Sequence, residues 1–118
     1  MEKVEKYIND RGGLKMVLID KNITKSITIL ENLLENSIEK EKTVCIHGNF
    51  KEFIIRYTSV LDEFFINHEE LCLVCGWFEI DIKKIITDII YNEDENSVHI
   101  TFSEGELYID FNDFEDNL

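Results

Sequence analysis

Proline is absent from this chain of 118 residues, and glycine occurs only five times. Turns must therefore be built by Asn, Asp and a few glycines, and no X-Pro isomerisation can slow folding. Cysteine is scarce and odd in number, at three, which argues against a disulfide framework and for reduced thiols in the cytoplasm. No apolar run approaches the roughly 18 residues of a membrane span, and residues 1–6 lack the apolar core of a signal peptide. Basic residues are nearly missing from the second half. Residues 57–118 hold Lys83 and Lys84 against 16 carboxylates, and after Lys84 ten carboxylates follow with no cation among them. The first 56 residues are almost neutral, at +1, so the second half supplies all of the net charge of −13.

A surface of one sign steers cationic partners toward it and repels nucleic acid and anionic lipid. Direct nucleic-acid binding is excluded for the second half, because phosphate contacts need cations. The expected partner is a basic protein. Disorder is not expected despite the charge. The chain is 44% hydrophobic, rich in Ile, Leu, Phe and Val, and long enough for a single domain, residues 1–118, with a core of its own.

Periodicity suggests the elements. Val4, Tyr7 and Ile8 fall at helical spacing in residues 2–10, and Arg11-Gly12-Gly13 would stop that helix. Residues 14–19 read as a short strand. Ile23, Ile27, Leu30, Leu34 and Ile38 step by 4, 3, 4 and 4, an amphipathic helix over residues 23–40 with Glu31, Glu35 and Glu39 on a solvated side. Residues 43–47 look β-like. Asn49 and Glu52 form a capping-box pattern that would open a second long helix carrying Phe50, Phe53, Ile54, Tyr57, Val60, Leu61, Phe64 and Phe65. Residues 71–78, nearly all apolar, read as a buried central strand. Ile82, Ile85, Ile86, Ile89 and Ile90 step by 3, 1, 3 and 1, which favours a helix over 80–91, with a β-meander as the alternative. Val98, Ile100 and Phe102, then Leu107, Ile109 and Phe111, alternate with polar residues about Ser103-Glu104-Gly105, a β-hairpin. Residues 112–118 are an acidic tail. The expected fold class is α+β: a single compact domain of about three helices packed on a mainly antiparallel sheet, edged by the C-terminal hairpin.

The hairpin is the best candidate for function. Its polar face presents Glu106, Tyr108 and Asp110 beside His99 and Thr101, with Glu104 at the turn. Glu93, Asp94 and Glu95 precede it, and Asp113, Phe114, Glu115 and Asp116 follow. Tyrosine among carboxylates suits capture of Arg and Lys, the carboxylate taking the cation and the ring offering a cation–π face. Phe114 adds an apolar anchor. A face of this kind plugs the cationic groove of a nuclease, or pairs with basic side chains on a toxin surface. Either makes the chain an inhibitor with no catalysis of its own and no cofactor.

Enzyme signatures are missing: there is no Gly-rich phosphate loop, nucleophile elbow or His-Glu-x-x-His. Cys45, His47, Cys72 and Cys75 offer a four-ligand zinc set, which would make the chain a regulatory module. If Cys72 and Cys75 lie on one strand, however, they point to opposite faces and cannot chelate one ion. A further alternative is an adaptor subunit whose hairpin edge extends a partner's sheet. In composition the chain is similar to bacterial immunity proteins and antitoxins, and to phage inhibitors of host nucleases such as anti-CRISPR proteins. The similarity implies an inhibitor of a nuclease toxin, or a DNA mimic aimed at a host defence complex. It rests on no alignable motif and carries no residue across.

Overall fold

The computed structural model describes residues 2–8 and 14–112, with side chains over 23–112. The chain is mostly β. Strands β1 (Glu2–Ile8) and β2 (Leu14–Asp20) form an antiparallel pair of their own. A single helix, α1 (Lys21–Glu39), follows. Then come β3 (Thr43–Phe50), β4 (Ile54–Val60), β5 (Glu63–Asn67), β6 (Glu70–Cys75), β7 (Phe78–Ile82), β8 (Ile86–Asn92), β9 (Ser97–Phe102) and β10 (Gly105–Asp110). The last eight strands make two antiparallel sheets. One has five strands in the order β4-β3-β10-β9-β8, and the other three in the order β5-β6-β7.

Three helices on a sheet are therefore not what this sequence forms. Residues 2–8 are a strand, and the glycine stop at 11–13 lies outside the described residues. The stretch expected as a helix from Asn49 holds the end of β3, then β4 and β5. It is rich in β-branched and aromatic residues, whose stiff χ1 favours a pleated surface. Its capping-box look is a β3–β4 turn, closed by the Phe50 N–H donating to the Phe53 carbonyl at 2.9 Å. Residues 80–91 hold β7 and β8. Their helical spacing comes from a β-bulge between Ile86 and Asp88, which lets Ile86 and Ile89, three apart, both face inward. The hairpin of β9 and β10 does form, but inside its sheet. The edges are β4 and β8.

One buried cluster joins both sheets to α1. From the helix come Ile23, Ile27, Leu30 and Leu34, on the stripe the sequence suggests. The inward faces of the strands add Val44, Ile46, Leu71, Leu73, Ile100 and Leu107, each 0% exposed. Alternation does this: on β3, β6, β9 and β10 every second residue is buried and its neighbours face out.

The two sheets meet along two seams. At the first, α1 packs against both β5 and β8, and the Ile86 N–H donates to the His68 carbonyl at 2.8 Å. At the second, β4 and β7 lie side by side but are not hydrogen-bonded neighbours, so each is the edge of its own sheet. Only side chains span this seam. Tyr57 meets Phe78 edge to face, with centroids 4.6 Å apart, and Lys84 sits 3.8 Å from Glu52. These two contacts show that β4 and β7 run antiparallel across the gap.

Candidate functional site

Strand β10 occupies the middle of the five-stranded sheet. Leu107 and Ile109 point into the core, so Glu106, Tyr108 and Asp110 point out together. Register sets their neighbours. Tyr108 lies opposite His47 on one side and His99 on the other, and His47 in turn faces Arg56. The outcome is a cross-strand row of Arg56, His47, Tyr108 and His99 on the outer face. His99 and Tyr108 stack face to face, with centroids 4.1 Å apart and ring planes 3° from parallel. His99 thus takes one face of the tyrosine ring and His47 lies in register on the other side, while Tyr108 stays 43% exposed. His99 Nε2 lies 3.3 Å from Glu106 Oε2.

The turns extend the acidic line at both ends of β10. Glu93, Asp94 and Glu95 occupy the β8–β9 turn, and Asn96 takes the left-handed φ of 49° that Asn tolerates. The Phe111 N–H donates to the Asn96 carbonyl, which ties this turn to the Asp110 end of β10. Glu104, in the β9–β10 turn, sits at the Glu106 end. Its carboxylate accepts from Lys84 at 3.0 Å, and this bond raises the lysine's pKa. Glu93, Asp94, Glu95, Glu104, Glu106 and Asp110 thus fall along a single band the length of β10. Asp113, Phe114, Glu115 and Asp116 lie outside the described residues.

Cys45 and His47, two apart on β3, share that outer face, with Sγ and Nε2 3.0 Å apart and Thr58 donating to the thiol at 3.4 Å. The other cysteines are elsewhere. Cys72 is on the outer face of β6, and Cys75 is buried on the inner face. The four candidate zinc ligands are not brought together. Among the described residues no group of three or more His, Cys, Asp or Glu is placed to hold a metal.

The outer face of the three-stranded sheet is a second acidic surface. Glu63, Glu70, Glu79 and Asp81 all point out from it, around Cys72. Crowding shifts their chemistry. A hydrogen bond with Asp81 is the main cause of a raised pKa at Glu70. Burial foremost, then the bond it donates to Glu79 at 3.0 Å, pushes the Cys72 thiol up to about 12.

At the end of this sheet Gly76 and Trp77 make the two-residue loop between β6 and β7. Gly76 adopts φ of 65°, and its N–H donates to the Asp62 carboxylate. Trp77, expected inside a buried strand, is instead 100% exposed. Phe78 follows it at one end of the open seam, and Phe53 and Ile54 lie toward the other end; these three are 43%, 42% and 71% exposed. Sequence reasoning missed this patch because it is assembled from two sheets. The one available signal was Gly76, a turn residue interrupting the apolar run.

No protein-family model, no curated protein and no solved structure matches this chain.

Proposed function

We propose that this chain is a non-catalytic inhibitor that binds and neutralises a basic partner protein, a nuclease toxin being the best fit to its charge. The observation that supports the reading most is the β10 band: Glu106, Tyr108 and Asp110 face out from a central strand, with the Glu93–Glu95 turn at one end and Glu104 at the other. A strand paired on both sides holds its side chains rigidly, so little ordering entropy is lost when a partner docks. Carboxylates flanking a half-exposed ring suit Arg and Lys, and the net charge of −13 draws a basic protein in from a distance. The hairpin cannot extend a partner's sheet, since both its strands already have two neighbours. We place this activity in the cytoplasm, in keeping with three free thiols. Among the described residues no helix is long and apolar enough to cross a membrane.

The test is capture of proteins from the source cell's lysate on immobilised chain, at about 0.05 and 0.5 M salt, with wild type and with Glu106→Gln/Asp110→Asn. The expected result is one basic protein in near-stoichiometric amount, lost at high salt and lost from the variant. A partner that is not basic, or one the variant holds as well as wild type does, overturns the reading.

A further inference from the structure

The open seam carries a second inference, independent of the β10 band. Strands β4 and β7 are both sheet edges, and between them runs a groove of about 400 Å³. An edge strand presents backbone N–H and C=O groups with no partner, a template for another strand. Here the template has a readable pattern. Along β7, Ile80 and Ile82 face the inside and are buried, while Glu79 and Asp81 face out and are exposed. A strand laid against this edge needs apolar side chains on the inner side, against Ile80, Ile82 and Ile55. On the outer side it needs cations, against Glu79 and Asp81.

We propose that the groove between β4 and β7 binds an extended segment of a partner protein in which apolar and basic residues alternate, added as a strand to the free edge of β7. Charge selects this occupant. Glu63 and Glu70 lie on the same outer face as Glu79 and Asp81. Of the cations near the groove, the 75%-exposed Lys83 sits 3.9 Å from Asp81, Lys84 is held by Glu104 and Glu52, and Arg56 is on β4, so the acids stay in excess. A second copy of this chain pairing through β7 would set Glu79 and Asp81 against their own kind, and like charges directly opposite are destabilising. The exposed Phe78, Phe53 and Ile54, which line the groove, then form its apolar surroundings, with Trp77 just beyond the Phe78 end.

Trp77 is the only tryptophan in the chain and adjoins Phe78, so its emission reports on that end of the groove. The probe is the blocked peptide Val-Lys-Val-Lys-Val, titrated into the full chain, with Val-Glu-Val-Glu-Val and Val-Lys-Pro-Lys-Val as controls. The expected result is a saturable blue shift with the lysine peptide and at least tenfold weaker binding of both controls. Glu79→Gln/Asp81→Asn and Phe78→Ser should each weaken the lysine peptide at least fivefold. Glu106→Gln/Asp110→Asn should stay within twofold of wild type, which separates this site from the β10 band. No saturable shift, an equal response to the glutamate peptide, or equal loss in the β10 variant overturns the proposal. So does sedimentation of the free chain as a dimer that Ile54→Ser dissociates, since a second copy would then be what covers the seam.

Discussion

Helix α1 lies across the seam between β5 and β8, whereas the seam between β4 and β7 has no such cover among the described residues. Both are places where two sheets meet without a continuous ladder. At the covered seam Leu30 and Leu34 are 0% exposed. At the open one Ile54 is 71% exposed, and two aromatic rings and one lysine do the bridging. Closing a seam from within takes a long amphipathic element, and the described residues hold one, α1. The contrast teaches where stability is concentrated and where surface is left over for binding.

The largest expected effect breaks the comparison most directly. Leu34→Ala removes buried volume under α1 and should cost about 3 kcal/mol of stability, as large-to-small core changes do. Ile54→Ser, on the open seam, should cost less than about 1 kcal/mol. Urea denaturation of both variants measures the difference. If Ile54→Ser costs as much as Leu34→Ala, the open seam is covered in solution, and the contrast falls.

Next comes binding. Neutralising Glu106 and Asp110 should slow association with a basic partner about tenfold at low ionic strength, with the difference shrinking as salt rises. Stopped-flow association rates check this. A change confined to the dissociation rate would mean that the band makes buried contacts rather than steering the partner.

Whatever depends on one element's own period could be read from the sequence. The 4-3-4-4 spacing of Ile23 to Ile38 marks α1, and alternation marks β9 and β10, and with them the outward trio Glu106, Tyr108 and Asp110. Period failed where the pleat is interrupted. The bulge in β8 puts Ile86 and Ile89 on one face at a helix-like interval, and the turns around Lys51 and Leu61 break β-rich sequence into pieces whose apolar residues imitate a helix. Facts belonging to sheet order were not legible at all. That His47 lies beside Tyr108, or that β4 and β7 are both edges, depends on pairings between distant strands, which no local pattern records. The open seam was invisible for that reason.

The thiols sharpen the contrast chemically. Cys45 sits on an exposed sheet face beside His47, and Cys75 is buried, with its pKa raised first by burial and then by Asp62. Cys72, behind the rim of the open seam, is held protonated by burial and Glu79, so with a pKa of about 12 only ~10⁻⁴ of it is thiolate at pH 8. Iodoacetamide at pH 8 should therefore find Cys72 a slow thiol and label Cys45, on its exposed sheet face, first. Glu79→Gln should speed Cys72 without changing Cys45. Peptide mapping by mass spectrometry follows all three. Fast labelling of Cys72 in wild type would mean that burial and Glu79 do not hold the thiol protonated.

The smallest effect concerns the same rim. Glu70 has a raised pKa because of its hydrogen bond with Asp81. A carboxyl whose folded pKa lies above its unfolded value, here 4.5, contributes stability below that value and loses the contribution as pH rises through the folded pKa. Glu70→Gln mimics the protonated form at every pH. It should match wild type near pH 3 and have the higher Tm at pH 7, a gap that added salt closes because the pair is solvent-facing. A rim under such tension favours any cation that settles between Glu70 and Asp81, so the lysine peptide should shrink the gap as well. If Glu70→Gln is instead less stable than wild type at pH 7, the two carboxylates are not in conflict there. The open seam then has no electrostatic strain for a basic strand to relieve, and its selectivity must come from Ile80, Ile82 and the backbone edge alone.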